Sequence, residues 1–117
     1  RLLGRDQVLS IMHVSDAHVS LHDDDPPRTS RMHAAFAHTT DKVRGLSTTS
    51  SAMFVRLLAL ACAKDVDLIA LGGDIVNFPS KETVSWVLEQ VRTAGCGIPF
   101  IYTAGNHDWH TEGIPFE

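Results

Sequence analysis

The chain shows one arrangement three times: a short apolar run, typical of a β-strand, ends in a cluster of polar residues. The runs cover residues 8–14, 66–71 and 98–103, and the first is nearly continuous in apolar side chains, as in a strand covered on both faces. Segments with helical spacing lie between them. This order of strand, helices, strand, helix and strand predicts parallel strands joined by right-handed crossovers.

Three segments are predicted to be helical because apolar side chains recur along them every three or four positions. They are residues 31–44, residues 52–64 and a segment that begins after Ser80, a typical N-cap. Gly95 is typical of the position that follows a helix. The apolar stripes are Met53, Leu57, Leu60 and Ala61 in the second segment, and Val84, Val87, Leu88 and Val91 in the third.

The polar clusters are Asp16-Ala17-His18, Gly72-Gly73-Asp74 and Gly105-Asn106-His107-Asp108. Because the carboxyl ends of parallel strands meet at one edge of a sheet, where open α/β sheets bind ligands, the clusters are expected to lie together. Asp16 and His18 are two positions apart, so in extended geometry both point toward one ion. Carboxylate and imidazole ligands together suit Mn, Fe, Zn or Ni better than Ca.

Each cluster taken alone also has an ordinary structural explanation. Asp16 and His18 fit a turn at the end of a strand, Asp74 fits a helix cap, and Asn106 fits a left-handed turn. The order of the clusters and their shared position after strands favour a metal site. The aromatic residues beside them, Phe78 and Trp109, are expected to pack in the core rather than to line a pocket.

The ordered set D-x-H, G-D and G-N-H-D resembles the calcineurin-like metallophosphoesterase family over residues 8–109. The resemblance implies a hydrolase of phosphoester bonds with a dinuclear metal centre. Its metal ligands would be Asp16, His18, Asp74 and Asn106, with Asp74 bridging two divalent ions (Mn, Fe, Zn or Ni). No other cofactor is expected.

The resemblance also implies the roles of two catalytic residues. A metal-bound hydroxide would attack phosphorus in line, while His107 faces the leaving-group oxygen and donates a proton or hydrogen bond to it. Asp108 would hold the second ring nitrogen of His107 and fix the orientation of the ring.

The family pattern continues with a further His and a Gly-His-x-His element, and neither appears in this chain. The resemblance therefore implies an α/β fold of mostly parallel strands flanked by helices. Residues 1–117 would form a single partial domain, one half of a four-layer α/β/β/α sandwich. The C-terminal half is expected to complete the site and to cover an exposed apolar face of the sheet. The isolated chain is expected to hydrolyse phosphoesters weakly or not at all.

The expected substrate is a phosphoester small molecule or a nucleotide, and either a monoester or a diester fits. A net charge of −4 disfavours a nucleic-acid surface. Two alternatives remain: a catalytically inactive binding scaffold of the same fold, and a small nucleotide-binding domain in which Gly72 and Gly73 cradle a phosphate. The second alternative lacks a Gly-x-Gly-x-x-Gly or P-loop pattern.

The two cysteines, Cys62 and Cys96, have no metal-ligand spacing. They are expected to be small buried residues of a protein in a reducing compartment, so a cytoplasmic location is favoured. No run reaches the ~18 apolar residues of a transmembrane helix, and no membrane partner is expected.

Overall fold

The computed structural model of the chain describes residues 7–21, 40–43 and 46–109. The strands are β1 (Ile11–Val14), β2 (Thr40–Val43), β3 (Leu46–Thr49), β4 (Leu68–Leu71) and β5 (Phe100–Tyr102). The helices are α1 (Ser50–Ala63), α2 (Lys81–Thr93) and α3 (Asn106–Trp109).

The central sheet has three parallel strands in the order β1-β4-β5. Val14 pairs with Leu71, and Leu71 pairs with Tyr102, so all three strands end at the same level. The predicted α/β fold with parallel strands flanked by helices is thereby confirmed. The polar cluster that follows each strand begins at the same edge of the sheet.

One hydrophobic core lies between the sheet and the two long helices. Because side chains alternate along a strand, Val14, Ile69 and Leu71 share one face, and all three are buried. The helical residues in the same core cluster are Phe54, Leu58 and Ala61 of α1 and Val87 and Val91 of α2. Both helices therefore pack against this face, where each large buried side chain contributes about 1.5–3 kcal/mol.

The opposite face of the sheet carries exposed side chains in the described part of the chain. His13, Ala70 and Ile101 lie side by side on it, one on each strand. Ile11 lies on the same face, two residues before His13 on β1. Ile11 and Ile101 are 50% and 57% exposed. This is the exposed apolar face expected from the sequence.

A two-stranded antiparallel ribbon of β2 and β3 precedes α1. The prediction of a helix over residues 31–44 is therefore wrong for residues 40–43, while residues 31–39 and 44 lie outside the described ones. Thr40 and Val43 are β-branched, and such residues favour strands over helices. The last residue of β3, Thr49, caps α1 by accepting a hydrogen bond from the amide of Ala52 at 3.1 Å.

The buried faces of α1 and α2 match the predicted stripes only in part, since Ala61, Val87 and Val91 are buried and other members are not. In α1 the buried large residues are Phe54 and Leu58, whereas Leu60 is 43% exposed. The sequence of α1 is apolar on nearly every side, so spacing alone does not select the buried face. Ser80 does cap α2, accepting from the amide of Thr83 at 3.0 Å.

An apolar groove of about 290 Å³ lies beside β5. Val84 and Leu88, two members of the predicted α2 stripe, line it instead of the closed core. Trp109 also lines it and is 67% exposed, so the expected burial of Trp109 is wrong. Phe78 is half-buried.

A disulfide joins Cys62 near the end of α1 to Cys96 just after α2, with 5.7 Å between the two Cα atoms. The expectation of two free buried thiols is therefore wrong, and Cys96 is exposed. Disulfides persist mainly in oxidising compartments, so this pair argues against the reducing compartment expected from the sequence.

No helix within the described ranges combines the length and the apolar character needed to cross a bilayer.

Candidate metal centre

The loops that follow β1 and β4 are hydrogen-bonded to each other beyond the ends of the strands. The amide of Asp16 donates to the carbonyl of Gly73 at 3.0 Å, and the amide of His18 donates to the carbonyl of Asp74 at 2.9 Å. The pairing continues to an isolated parallel bridge between Val19 and Val76. Two of the predicted polar clusters are thus fixed in register by main-chain bonds.

This register brings three predicted ligands together. One ligand atom from each of Asp16, His18 and Asp74 lies within 4.8 Å of the others. His18 Nε2 and Asp74 Oδ2 are 4.0 Å apart. Asp16 is exposed, and the other two are half-buried. Two carboxylates and one imidazole at this separation fit a divalent transition-metal ion.

The backbone is left-handed at all three of these residues. The φ angles are 53° at Asp16, 44° at His18 and 48° at Asp74. Non-glycine residues in this region cost roughly 1–2 kcal/mol each, and such strain clusters at functional sites. Only two other non-glycine residues in the described ranges, Asp65 and Cys96, have positive φ.

Two glycines permit the close approach of the second and third clusters. A Cβ atom on Gly105 would overlap with Asp74 Oδ1, so only glycine fits without a shift. Gly73 has a φ of +96°, and a Cβ there would lie 3.2 Å from the amide nitrogen of Gly105. The glycines of the two motifs are therefore required by the packing of one turn against the other.

His107 lies against Asp74 and His18. Its amide donates to Asp74 Oδ1 at 2.9 Å, so Asp74 caps the short helix α3 from another segment of the chain. Its ring meets that of His18 edge to face, with 4.7 Å between the centroids. Nδ1 of His107 lies 3.0 Å from the carbonyl oxygen of Asn77. Because a carbonyl only accepts, Nδ1 carries the proton of this bond.

Asp108 does not hold the ring of His107, so that expectation is wrong. Its Oδ1 accepts from the amide of Val76 at 2.9 Å, and its Oδ2 accepts from the amide of Gly105 at 2.8 Å. Both carboxylate oxygens of Asp108 thus accept hydrogen bonds from backbone amides. The ring of His107 is hydrogen-bonded to the carbonyl of Asn77 instead of to Asp108.

Tyr102, the last residue of β5, lines the same groove as Asp108. Partial burial of its phenol, a hydrogen bond to Asp108 and the negative charges of Asp108 and Asp74 raise the pKa of Tyr102 to about 12. From the sequence, Tyr102 is predicted only to lie in a strand. Its position at the end of a strand, just before the third cluster, is the signal that indicates a role at the site.

Asn106, the fourth predicted ligand, is the first residue of α3 and is exposed. Asn106 directly precedes His107, and the backbone amide of His107 donates a hydrogen bond to Asp74. Asn106 thus lies next to the group of three ligands, and its own metal contact stays a prediction.

The chain matches a family model described as calcineurin-like phosphoesterase over residues 9–117. No curated protein matches it significantly.

Proposed function

Because this chain belongs to the calcineurin-like phosphoesterase family, we propose that it binds divalent metal ions at this edge of the sheet and hydrolyses phosphoester bonds. The observation that carries the proposal is the convergence of Asp16, His18 and Asp74 within 4.8 Å, in direct contact with His107. Acidic groups lie close together on many surfaces. Here they are also held by strained backbone and by main-chain pairing, which supports a functional origin.

In the proposed site Asp16, His18, Asp74 and Asn106 would hold two divalent ions. When bound, such ions lower the pKa of water and polarise the phosphoryl oxygens. Oδ1 of Asp74 also accepts a hydrogen bond from the backbone amide of His107, while Oδ2 faces His18. A single carboxylate thereby fixes the distance between the ligand group and the proposed catalytic histidine.

His107 is proposed to stabilise the leaving group. With Nδ1–H bound to the carbonyl of Asn77, Nε2 is the remaining nitrogen of the ring. Nε2 carries a proton only when the ring is an imidazolium. The protonated ring donates that hydrogen to the leaving-group oxygen as negative charge develops there.

The proposed substrate is a small phosphoester or a nucleotide. The net charge of −4 leaves no general attraction for a nucleic-acid backbone, so affinity for the phosphate depends on the ions at the site. Monoesters and diesters are both compatible with the exposed position of Asp16 and Asn106.

The experiment compares metal binding and hydrolysis in two variants. Mn²⁺ and Zn²⁺ binding is measured by calorimetry, and turnover with nitrophenyl phosphate and bis(nitrophenyl) phosphate. Asp74→Asn is expected to weaken metal binding by at least about ten-fold, because it removes the carboxylate charge. Asp65→Asn is the matched control, since Asp65 is an exposed aspartate with a φ of 50° outside the ligand group.

Equal metal affinity in the wild type and Asp74→Asn would contradict the proposed site. Metal binding that depends on Asp74 without turnover of either ester would instead favour the inactive scaffold of the same fold.

A further inference from the structure

Asp108 connects two segments that carry the proposed site. Its Oδ1 binds the amide of Val76, two residues after Asp74, and its Oδ2 binds the amide of Gly105, one residue before Asn106. The bond to Gly105 is one half of a capping box, in which the third residue of a helix reaches back to the N-cap amide. The bond to Val76 is long-range and has no such local origin.

A second bond between the same segments runs in the opposite direction. The amide of His107 donates to Asp74 Oδ1 at 2.9 Å. Residues 74–76 and 107–108 are therefore closed into a ring by two hydrogen bonds, each from a backbone amide to an aspartate. In a ring of this kind neither segment moves without breaking a charge-assisted bond, which is among the stronger hydrogen bonds in proteins.

Tyr102 lies beside this ring at the end of the sheet. It pairs with Leu71 at the end of β5 and lines the same groove as Asp108. The carboxylate of Asp108 is thus hydrogen-bonded to the turn at Gly105 and to the segment after Asp74, with Tyr102 of β5 beside it. We name this set of contacts the Asp108 brace.

We infer that Asp108 is a positioning residue: it ties the Gly105 turn to the segment after Asp74 and so sets His107 against the metal ligands. This inference deepens the proposed function and rests on it for its catalytic meaning, but the brace itself is measurable without metal or substrate.

The test uses the full chain with Asp108→Asn. Asparagine has nearly the same size as aspartate, but an NH2 group replaces one carboxylate oxygen and cannot accept a hydrogen bond from a backbone N–H. In the metal-free protein we expect the amides of Val76, Gly105 and His107 to exchange with solvent on the order of ten-fold faster by NMR. The amides of Val87 and Val91, in the buried part of α2, keep their exchange rates and serve as the internal reference.

Metal affinity gives the second readout, because a purely structural residue far from the ligands would not change it. Asp108 is not in the ligand group. Its replacement is nevertheless expected to raise the Mn²⁺ dissociation constant by about ten-fold, as is typical when a group that orients metal ligands is lost. Asp65→Asn leaves both the amide exchange and the Mn²⁺ affinity unchanged.

Tyr102→Phe is the milder variant and decides the test if Asp108→Asn fails to fold. It keeps both hydrogen bonds from backbone amides to Asp108 and removes only the phenolic hydroxyl, so the same amides are expected to exchange faster by a smaller factor.

Tyr102 is the single tyrosine of the chain, so ultraviolet titration reports on it alone. Its pKa of about 12 in the wild type is expected to fall toward the usual value in Asp108→Asn. Unchanged exchange of Val76, Gly105 and His107 together with unchanged Mn²⁺ affinity overturns the inference. The proposed function fails on a different result, the absence of metal binding by the wild type.

Discussion

At the scale of single residues, the candidate ligands occupy a backbone conformation that their residue types disfavour. Asp16, His18 and Asp74 all have φ between 44° and 53°. Residues of this kind persist only where the surrounding structure holds them, which here is the main-chain pairing of the two loops. Stability and function should therefore respond in opposite directions when a side chain is removed.

Replacing Asp16 by glycine tests this opposition. Asp16→Gly removes a ligand and relieves the left-handed strain, so the free energy of unfolding is expected to stay constant or to rise by up to about 1 kcal/mol. Mn²⁺ affinity is expected to fall by at least about ten-fold. Urea unfolding and calorimetry provide the two measurements.

Asp65→Gly is the matched control, because Asp65 has the same strain without a place in the ligand group. It should show the change in stability and none in Mn²⁺ affinity. A loss of several kcal/mol in Asp16→Gly alone would mean that this carboxylate maintains the fold rather than an ion.

The candidate ligands are predictable from the sequence because each follows an apolar strand, and parallel strands bring their ends together. The hydrogen-bond partners of His107 and Asp108 are not predictable from the sequence. The carbonyl of Asn77 has no signature in the sequence, and the bond from Asp108 to Val76 joins residues 32 positions apart. Such contacts depend on how two turns pack, which the glycines permit but spacing does not specify.

At the scale of elements, the three parallel strands and both long helices follow from apolar spacing and from their caps, Thr49 and Ser80. The strand β2 and most of the buried face of α1 do not follow, whereas Val87 and Val91 of the predicted α2 stripe are buried as expected. In α1 apolar residues occur on nearly all sides, so the sheet decides which ones are buried. In α2 the side chains of Val84 and Leu88 face the groove beside β5.

The disulfide between α1 and α2 is the element-scale feature with the largest expected effect on stability. It closes a segment with a sequence separation of 34. Loss of a cross-link of this span is expected to lower the free energy of unfolding by about 3–4 kcal/mol, because the unfolded chain gains conformational freedom. Urea unfolding of a Cys62→Ala/Cys96→Ala double variant, beside the wild type with and without reductant, measures the effect.

The reduced wild type should match the double variant. If oxidised and reduced protein unfold at the same urea concentration, the thiols are free in solution, as the sequence analysis expects. The pairing is difficult to predict from two cysteines alone. It arises because α1 and α2 pack on the same face of the sheet, with Cys62 and Cys96 near their C-terminal ends.

At the scale of the whole molecule, the described part of the sheet packs against α1 and α2 on one face, while the other face carries exposed apolar side chains. Ile11 and Ile101 are about half-exposed on this second face, on the two edge strands. Exposed apolar side chains favour association or the binding of apolar dyes. We therefore expect the second face to contribute more to contacts with other molecules than to folding.

Replacing Ile101 by threonine separates these contributions. Ile101→Thr keeps the β-branched shape suited to a strand and is expected to change the free energy of unfolding by less than about 0.5 kcal/mol. Dye fluorescence and concentration-dependent sedimentation should both decrease. Val8→Thr is the control, since Val8 is 88% exposed outside the sheet. An equal decrease in both variants would show that the exposed face has no special part in association.

The main-chain pairing that extends past β1 and β4 also limits how chains of this kind can change in length. Between residues 14–19 on one side and residues 72–77 on the other, five backbone hydrogen bonds join the two loops. Inserting or deleting one residue in either stretch would shift every later partner and turn Asp16 and His18 away from Asp74. Insertions and deletions that keep the site are therefore confined to segments outside these two stretches.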